Sequence, residues 1–480
     1  MFANRSAIKH LGTTQRRHLL GAAAGSMAML AVGRTVRALL QGSLRVGSFQ
    51  AEVTPRLGQL VYSGAFRPAT SLDTPLFIKG FVLTGTPEAG AASATAVVAA
   101  IDWCEIRNQA YDEWCQALAD AAGTVPDCVL LSSIHQHDTP LGDTGAQRIL
   151  AEAGEASVIC DLEFHHRCVR AAAAAAARAA QQARPVTHVG IGKARVEQIA
   201  SNRRVELPNG RVTFNRYSGR NDELYRALPE GEIDPYLRCV SLWENDTPLV
   251  CLSSYATHPM SVYGSGAIHY DFVGLARERR QRDDPGVMQI YASGCSGDVT
   301  AGKYNDGAPE HRDRLAERLY LAMQRAWESS ERVPLARVEC RHAPLVLPHR
   351  EAEGLSIEDL QRELADSTLP LQRRAMAAVG LSARRHQPQG HVCDIRCLDL
   401  GGAKLLLFPA EAFVHYQLAA QAMRPDVAVL AMGYGECSPG YIPTDQATRE
   451  GFIEEHGYCW VADGVEERIL AATREALGTA

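Results

Sequence analysis

The sequence predicts an α/β protein, with mixed or largely parallel β-sheets flanked by helices and a functional site at the C-terminal ends of the strands. Three observations carry this. Short apolar, β-rich runs alternate with longer helix-favouring stretches. The chain is 480 residues long, 46% apolar and 22% charged, which excludes collagen-like, coiled-coil and wholly disordered classes. Reactive side chains recur just past the ends of the apolar runs, where open α/β sheets bind ligands.

The first forty residues stand apart. They hold Arg5, Lys9, Arg16, Arg17, Arg34 and Arg37 and no acid. Thr14-Gln15-Arg16-Arg17-His18-Leu19-Leu20 leads into an apolar stretch ending at Gly33. A charged start, a paired arginine and a short apolar region predict a twin-arginine-type signal over 1–40, and so a protein exported to the periplasm or beyond. Its removal takes the formal charge from −6 to about −12. Residues 44–480 are then the folded domain. With 49 basic against 55 acidic residues there is no basic excess for nucleic acid. No internal apolar run reaches the ~20 residues of a transmembrane span, so the mature chain is expected to have none. Nothing in the sequence sets an oligomeric state. Thirteen cysteines are too sparse for a disulfide scaffold, and an odd number leaves one unpaired. Cys128, Cys239 and Cys251 sit inside apolar runs and are expected as small buried hydrophobes.

Strands are predicted at 80–84, 96–101, 128–134, 188–192, 239–243, 248–255, 287–292, 404–408 and 427–432. Helices are predicted at 109–122, 161–183, 309–329, 356–365, 411–423 and 464–477. The Ala171–Ala177 run, between Arg170 and Arg178, is a strong helix former. Two polar insertions are expected, a long surface excursion at 201–236 and a segment with its own helices at 349–392.

The chemistry gathers at the strand ends. Asp102 follows 96–101, and His135-Gln136-His137-Asp138 follows 128–134. His258 follows 248–255, and Gly294-Cys295-Ser296-Gly297-Asp298-Val299-Thr300 follows 287–292. Glu411 follows 404–408, and Gly433-Tyr434-Gly435-Glu436, then Gly440-Tyr441, follow 427–432. Two histidines and a carboxylate from separate segments make a zinc-hydrolase set: His135, His258 and Glu411, with the Tyr441 phenol as a candidate fourth ligand. If strand geometry continues, His135 and His137 point opposite ways, one coordinating and the other serving acid/base chemistry. The bland readings are a hydrogen-bonded pair at a strand end and a glutamate capping the next helix. The Gly294–Asp298 turn lacks the Lys-Ser/Thr of a phosphate loop and is not a G-x-S-x-G elbow. It is expected to hold Asp298 or Thr300 near the metal. Asp102 is either a partner of a ligating histidine or a plain strand-end residue.

In this order the motifs resemble the neutral, zinc-dependent ceramidase family. Ala51-Glu52-Val53-Thr54-Pro55 is similar to its D/E-I/V-T-P opening and Asp73-Thr74-Pro75-Leu76 to its D-P-L. His135-Gln136-His137-Asp138-Thr139-Pro140 stands where the family has H-T-H-S-G-P, and Ser201-Asn202-Arg203-Arg204 resembles its N-R-S. Ile233-Asp234-Pro235, Ala256-Thr257-His258 and Gly297-Asp298-Val299-Thr300 resemble I-D-P, A-T-H and G-D-V-S. Pro409-Ala410-Glu411 and Gly440-Tyr441-Ile442 resemble P-G-E and G-Y-I. The resemblance implies one Zn²⁺ on His135, His258, Glu411 and Tyr441. It implies His137 as a catalytic or substrate-orienting histidine and Arg203 at the substrate carbonyl or its oxyanion. It puts Thr300 at the family's serine, with Ala301-Gly302 where the family has Pro-Asn. The family's C-terminal β-sandwich domain has no counterpart in the sequence, which ends at Ala480.

The reading is a zinc-dependent amidohydrolase of ceramidase type. It cleaves the amide bond of ceramide or another N-acyl lipid to fatty acid and amine with zinc-activated water, as in sphingolipid metabolism. The alternatives are a zinc hydrolase of another amide or ester on the same fold, and a non-catalytic exported binding protein with a structural metal.

Overall fold

Long polar-apolar alternating strands form the centre of this molecule, and the apolar runs the sequence marks as strands lie around them. The structure, a computed structural model, describes residues 38–87 and 95–479. The signal segment lies outside these residues except for 38–40, which open the strand Ala38–Glu52. The described residues belong to one compact unit, Thr35–Ala480.

The larger sheet, nine-stranded among the described residues, runs Ala428–Met432, Ala403–Leu407, His391–Asp399, Arg337–Leu347, Ala38–Glu52, Phe77–Pro87, Thr95–Ile101, Val129–Ser133. The short Arg184–Pro185 pairs with Ala38–Glu52 off this path. The second sheet runs Met288–Ser293, Thr247–Tyr255, Tyr236–Glu244, His188–Arg195, Glu331–Pro334. Both are mixed, and most pairings are antiparallel, so the largely parallel alternative does not hold. In these two sheets only Thr95–Ile101 with Val129–Ser133, Ala403–Leu407 with Ala428–Met432, and Thr247–Tyr255 with Met288–Ser293 are parallel. The antiparallel centre escaped the sequence reading for a physical reason. Strands such as Arg337–Leu347 and His391–Asp399 mix polar and charged residues with apolar ones and form no continuous apolar run.

Each of the three parallel pairs sends its chain ends to one place. The two edges of the large sheet meet there, where Ser133 N–H donates to Tyr434 O at 2.8 Å. The second sheet joins them: Gly433 N–H donates to Ser293 O at 2.7 Å, and Ser293 Oγ donates to Ile134 O at 2.8 Å.

Alternating strand residues divide between two cores. Ala96, Val98 and Ala100 belong to the core that includes residues of the second sheet. Val97, Ala99 and Ile101 belong to the one that includes the helices Asn108–Ala122 and Leu162–Gln181. The alanine run has a structural purpose. Ala172, Ala175 and Ala176 are buried in the helical core, and two residues past the run the helix Leu162–Gln181 lies so close to Ala38–Glu52 that a Cβ on Gly47 would overlap the Ala179 carbonyl.

The predicted helices stand within two residues of their expected bounds, except that 411–423 begins at Val414. Its first residues, Glu411–Ala412, instead pair with Tyr441–Ile442. Thr144–Glu152 and Asp271–Asp283 were not predicted; the latter carries no clear apolar stripe. The 349–392 insertion holds the helices Ile357–Ala365 and Leu371–His386. Segment 201–236 is not a simple surface excursion. Its buried Arg216 donates to the carbonyls of Asn202, Pro229 and Glu230 at 2.7–2.8 Å, knitting the loop together. All thirteen cysteines are free and buried. Among the described residues no helix is long and apolar enough to cross a membrane.

Candidate metal centre

Four residues around the meeting point have positive φ without being glycine: His135 (69°), Asp138 (59°), Ala410 (50°) and Tyr434 (57°). That conformation costs energy for side chains with a Cβ, and it clusters where packing enforces it for a purpose. Its effect at His135 is direct. Strand geometry stops at Ser133, so the expected opposition of His135 and His137 does not arise. Both rings face the same region, with centroids 5.2 Å apart.

His135, His258 and Glu411 place one ligand atom each within 4.8 Å of one another. Glu411 Oε2 lies 3.0 Å from His258 Nε2 and 3.5 Å from His135 Nε2. The other ring nitrogens are held by backbone. His135 Nδ1–H donates to Cys104 O at 2.9 Å, and His258 Nδ1–H donates to Ser296 O at 2.6 Å. These bonds leave both Nε2 lone pairs directed at the carboxylate, an arrangement that suits a divalent cation and matches how metal-bound histidines are oriented. The donor set, two imidazoles and a carboxylate, therefore fits zinc. All three residues are buried. Burial and the Arg203 guanidinium push His258 down to about 4, so its ring is neutral. Burial works to raise the Glu411 carboxyl, but the two imidazoles outweigh it and hold it well below the usual range.

Tyr441 lies beside Glu411 because the two are register partners in a short parallel pair. Its hydroxyl accepts from Arg203 at 2.8 Å. Arg203 Nη2 also lies 3.2 Å from His258 Nε2, which puts its charge beside the cluster. It does not line the cavity beside it. His137 does, and neither of its ring nitrogens has a hydrogen-bond partner among the described residues. Burial and the neighbouring imidazoles hold its pKa well below the usual histidine value.

Thr300 is placed differently. Its hydroxyl donates to Arg216 O and accepts from Gly302 N–H, both at 3.1 Å, and it is not among the cavity's lining residues. The Gly294–Asp298 turn serves the site through its backbone, supplying the Ser296 carbonyl to His258. Asp298, which burial raises to about 6, accepts from Val414 N–H and Asn202 Nδ2. Among the described residues Asp102 partners no histidine. Arg277 donates to both its oxygens, at 2.8 and 3.0 Å, and Gln136 to one at 2.9 Å. It thus anchors the residue between the two histidines.

The sequence places Tyr434 at a strand end without giving it a role, and it misses several other site residues. Tyr434 stacks on His135 at 4.3 Å, and its hydroxyl lies 2.8 Å from Ser296 Oγ. Glu105 is fully buried, 4.0 Å from His135 Nδ1, and burial raises it to about 7. Its place three residues past Asp102 was the one available signal. Tyr458, His456, Trp460, Gln372 and Met376 complete a cavity of about 430 Å³. They lie in segments without a chemical motif.

Comparison with known proteins supplies the architecture. Neutral ceramidase from Pseudomonas aeruginosa superposes with a TM-score of 0.63 at 17% identity, over 90% of this chain and 73% of that one. The chain has the neutral ceramidase fold. A ceramidase complexed with C2 matches at the same TM-score and identity, over 90% of this chain and 74% of the other. No family model matches the sequence, and no curated protein does. The ceramidase fold thus persists here at a sequence identity that carries little beyond fold.

Proposed function

We propose that this chain is a zinc-dependent amidohydrolase, exported through its Arg16-Arg17 segment, that cleaves an N-acyl amide to acid and amine. The observation that carries it is the convergence of His135, His258 and Glu411 on one point beside His137, at the wall of a cavity. The ceramidase fold of the solved neighbours supports the amide class.

His135, His258 and Glu411 would hold the metal, with Tyr441 beside them. Zinc bound there would supply Lewis acidity, lowering the pKa of water from about 15.7 toward about 7 and polarising a carbonyl. His137, neutral and unpartnered, takes the proton of the attacking water and passes it to the leaving nitrogen. The carbonyl carbon gains the water oxygen, the C–N bond breaks, and the amine leaves with the proton. Tyr441 accepts from Arg203, which leaves its own hydroxyl proton free for the carbonyl oxygen as charge builds. Arg203 acts through Tyr441 as a positioning residue. Thr300 makes no bond to substrate in this scheme.

Metal analysis of the protein purified without added metal, beside Glu411→Ala, tests the reading. About one zinc per chain, lost in the variant, is the expected result. A wild type that holds no zinc and takes up none on titration overturns it. Zinc bound without hydrolysis of any amide favours a binding protein instead.

A further inference from the structure

The cavity beside the ligand cluster has an unusual wall for a lipid site. Among its lining residues Met376 is the one aliphatic side chain; the rest of the apolar surface comes from Tyr62, Tyr441, Tyr458 and Trp460. A long acyl chain is flexible and apolar along its whole length and needs a trench of aliphatic groups. Aromatic side chains with polar tips offer flat faces and hydrogen-bonding edges, which suit a compact hydroxylated ring.

The polar atoms point the same way. Glu105 Oε1, His456 Nε2 and Trp460 Nε1 are buried and have no hydrogen-bond partner among the described residues, and all three residues line the cavity. The other Glu105 oxygen is spoken for: Tyr458 donates to it at 3.0 Å, and Arg107 in turn donates to the Tyr458 hydroxyl. This network fixes the carboxylate and leaves Oε1 for a ligand. An acceptor and an indole N–H left unpaired in one cavity cost stability unless a ligand engages them.

One side of the cavity is also fixed. Met376 and Gln372 come from the helix Leu371–His386 of the 349–392 insertion. Gln372 Oε1 accepts from Phe66 N–H at 2.8 Å and ties that helix to the hairpin bearing Tyr62.

We infer that the cavity selects a short-chain N-acyl amide of a polyhydroxylated amine over a long-chain lipid amide, and that Glu105 reads a hydroxyl of that amine. This rests on the hydrolase reading above and narrows its substrate class. A site built to pair a hydroxyl discriminates strongly against analogues that lack it, because its own polar groups are then left unpaired.

The test uses the zinc-loaded full chain and three probes: N-acetylglucosamine, N-acetylcyclohexylamine and N-palmitoylglucosamine. Calorimetry is expected to give N-acetylglucosamine at least about 10-fold tighter binding than N-acetylcyclohexylamine. Turnover is expected to favour it over the palmitoyl compound by at least about 10-fold in kcat/KM. Glu105→Gln, and independently Trp460→Phe, are expected to shrink the hydroxyl preference. Equal or better use of the palmitoyl compound overturns the inference and leaves the hydrolase reading standing. A hydroxyl preference unchanged in both variants overturns the role of Glu105. If none of the three is cleaved, the calorimetric comparison decides what the cavity selects: equal binding of N-acetylglucosamine and N-acetylcyclohexylamine overturns the inference, and the hydrolase reading is judged by its own metal test.

Discussion

His137 and Thr300 divide the chemistry from its scaffold. His137 offers two unpartnered ring nitrogens at the cavity, whereas the Thr300 hydroxyl is spent on Arg216 O and Gly302 N–H. His137→Ala is expected to lower kcat by about 10²–10⁴-fold, the usual worth of a general acid-base. Thr300→Val is expected to keep kcat within a few-fold and to show its cost in stability; a Thr300→Val protein that folds, binds zinc and is as inactive as His137→Ala contradicts the scheme. Glu436 supplies a pH dependence of stability. Burial raises its carboxyl from 4.5 to about 7, against the donors Asn108 N–H and Ser438. The native state therefore holds this proton where the unfolded chain has lost it. Stability is highest below about pH 4.5 for this group and falls as pH rises through about 7, by roughly 3 kcal/mol at the upper limit. Urea titrations from pH 5 to 8 are expected to show a shallower decline in Glu436→Gln.

At the scale of elements, the site depends on turns that allow backbones to touch. Gly297 is the tightest of them: a Cβ there would overlap the Glu411 carbonyl, and Gly297 N–H donates to Ala412 O at 3.0 Å. The turn that orients His258 is thus packed directly on the segment that carries Glu411. Gly297→Ala is expected to cost about 1–3 kcal/mol in stability by thermal melting. Because the displaced segment carries Glu411, the proposed ligand, it is also expected to weaken zinc about 10-fold or more in competition with a chelator. An alanine variant with wild-type zinc affinity shows that the contact is not needed to place Glu411. The register of Glu411–Ala412 with Tyr441–Ile442 acts alongside it, since it alone puts carboxylate and phenol side by side.

For the whole molecule, a metal held by His135, His258 and Glu411 would close a fold whose parts are far apart in sequence. His135, His258 and Glu411 follow strands of three different parallel pairs, and both sheets contribute. An ion bound only by the native arrangement stabilises it by about 4 kcal/mol at a thousandfold excess over its Kd. Removing zinc with a chelator is expected to lower the urea midpoint by a corresponding amount, and readdition to restore it. No shift in the wild type would mean that the three segments are held without the ion.

The chain's local patterns determined the outer strands, most helices and the chemistry at strand ends, because apolar runs and rare reactive residues are legible without partners. His135, His258, Glu411 and Tyr441 were therefore found as types at positions. Tertiary structure decided what they do together. A positive φ at His135 brings His137 to the same side, and a backbone contact at Gly297 sets Glu411. The antiparallel centre, the committed hydroxyl of Thr300, the place of Arg203 behind the ligands and the wall made by Glu105, His456 and Trp460 carry no sequence motif. Most depend on contacts between segments from a few tens to more than three hundred residues apart, and periodicity along the chain holds no record of such contacts.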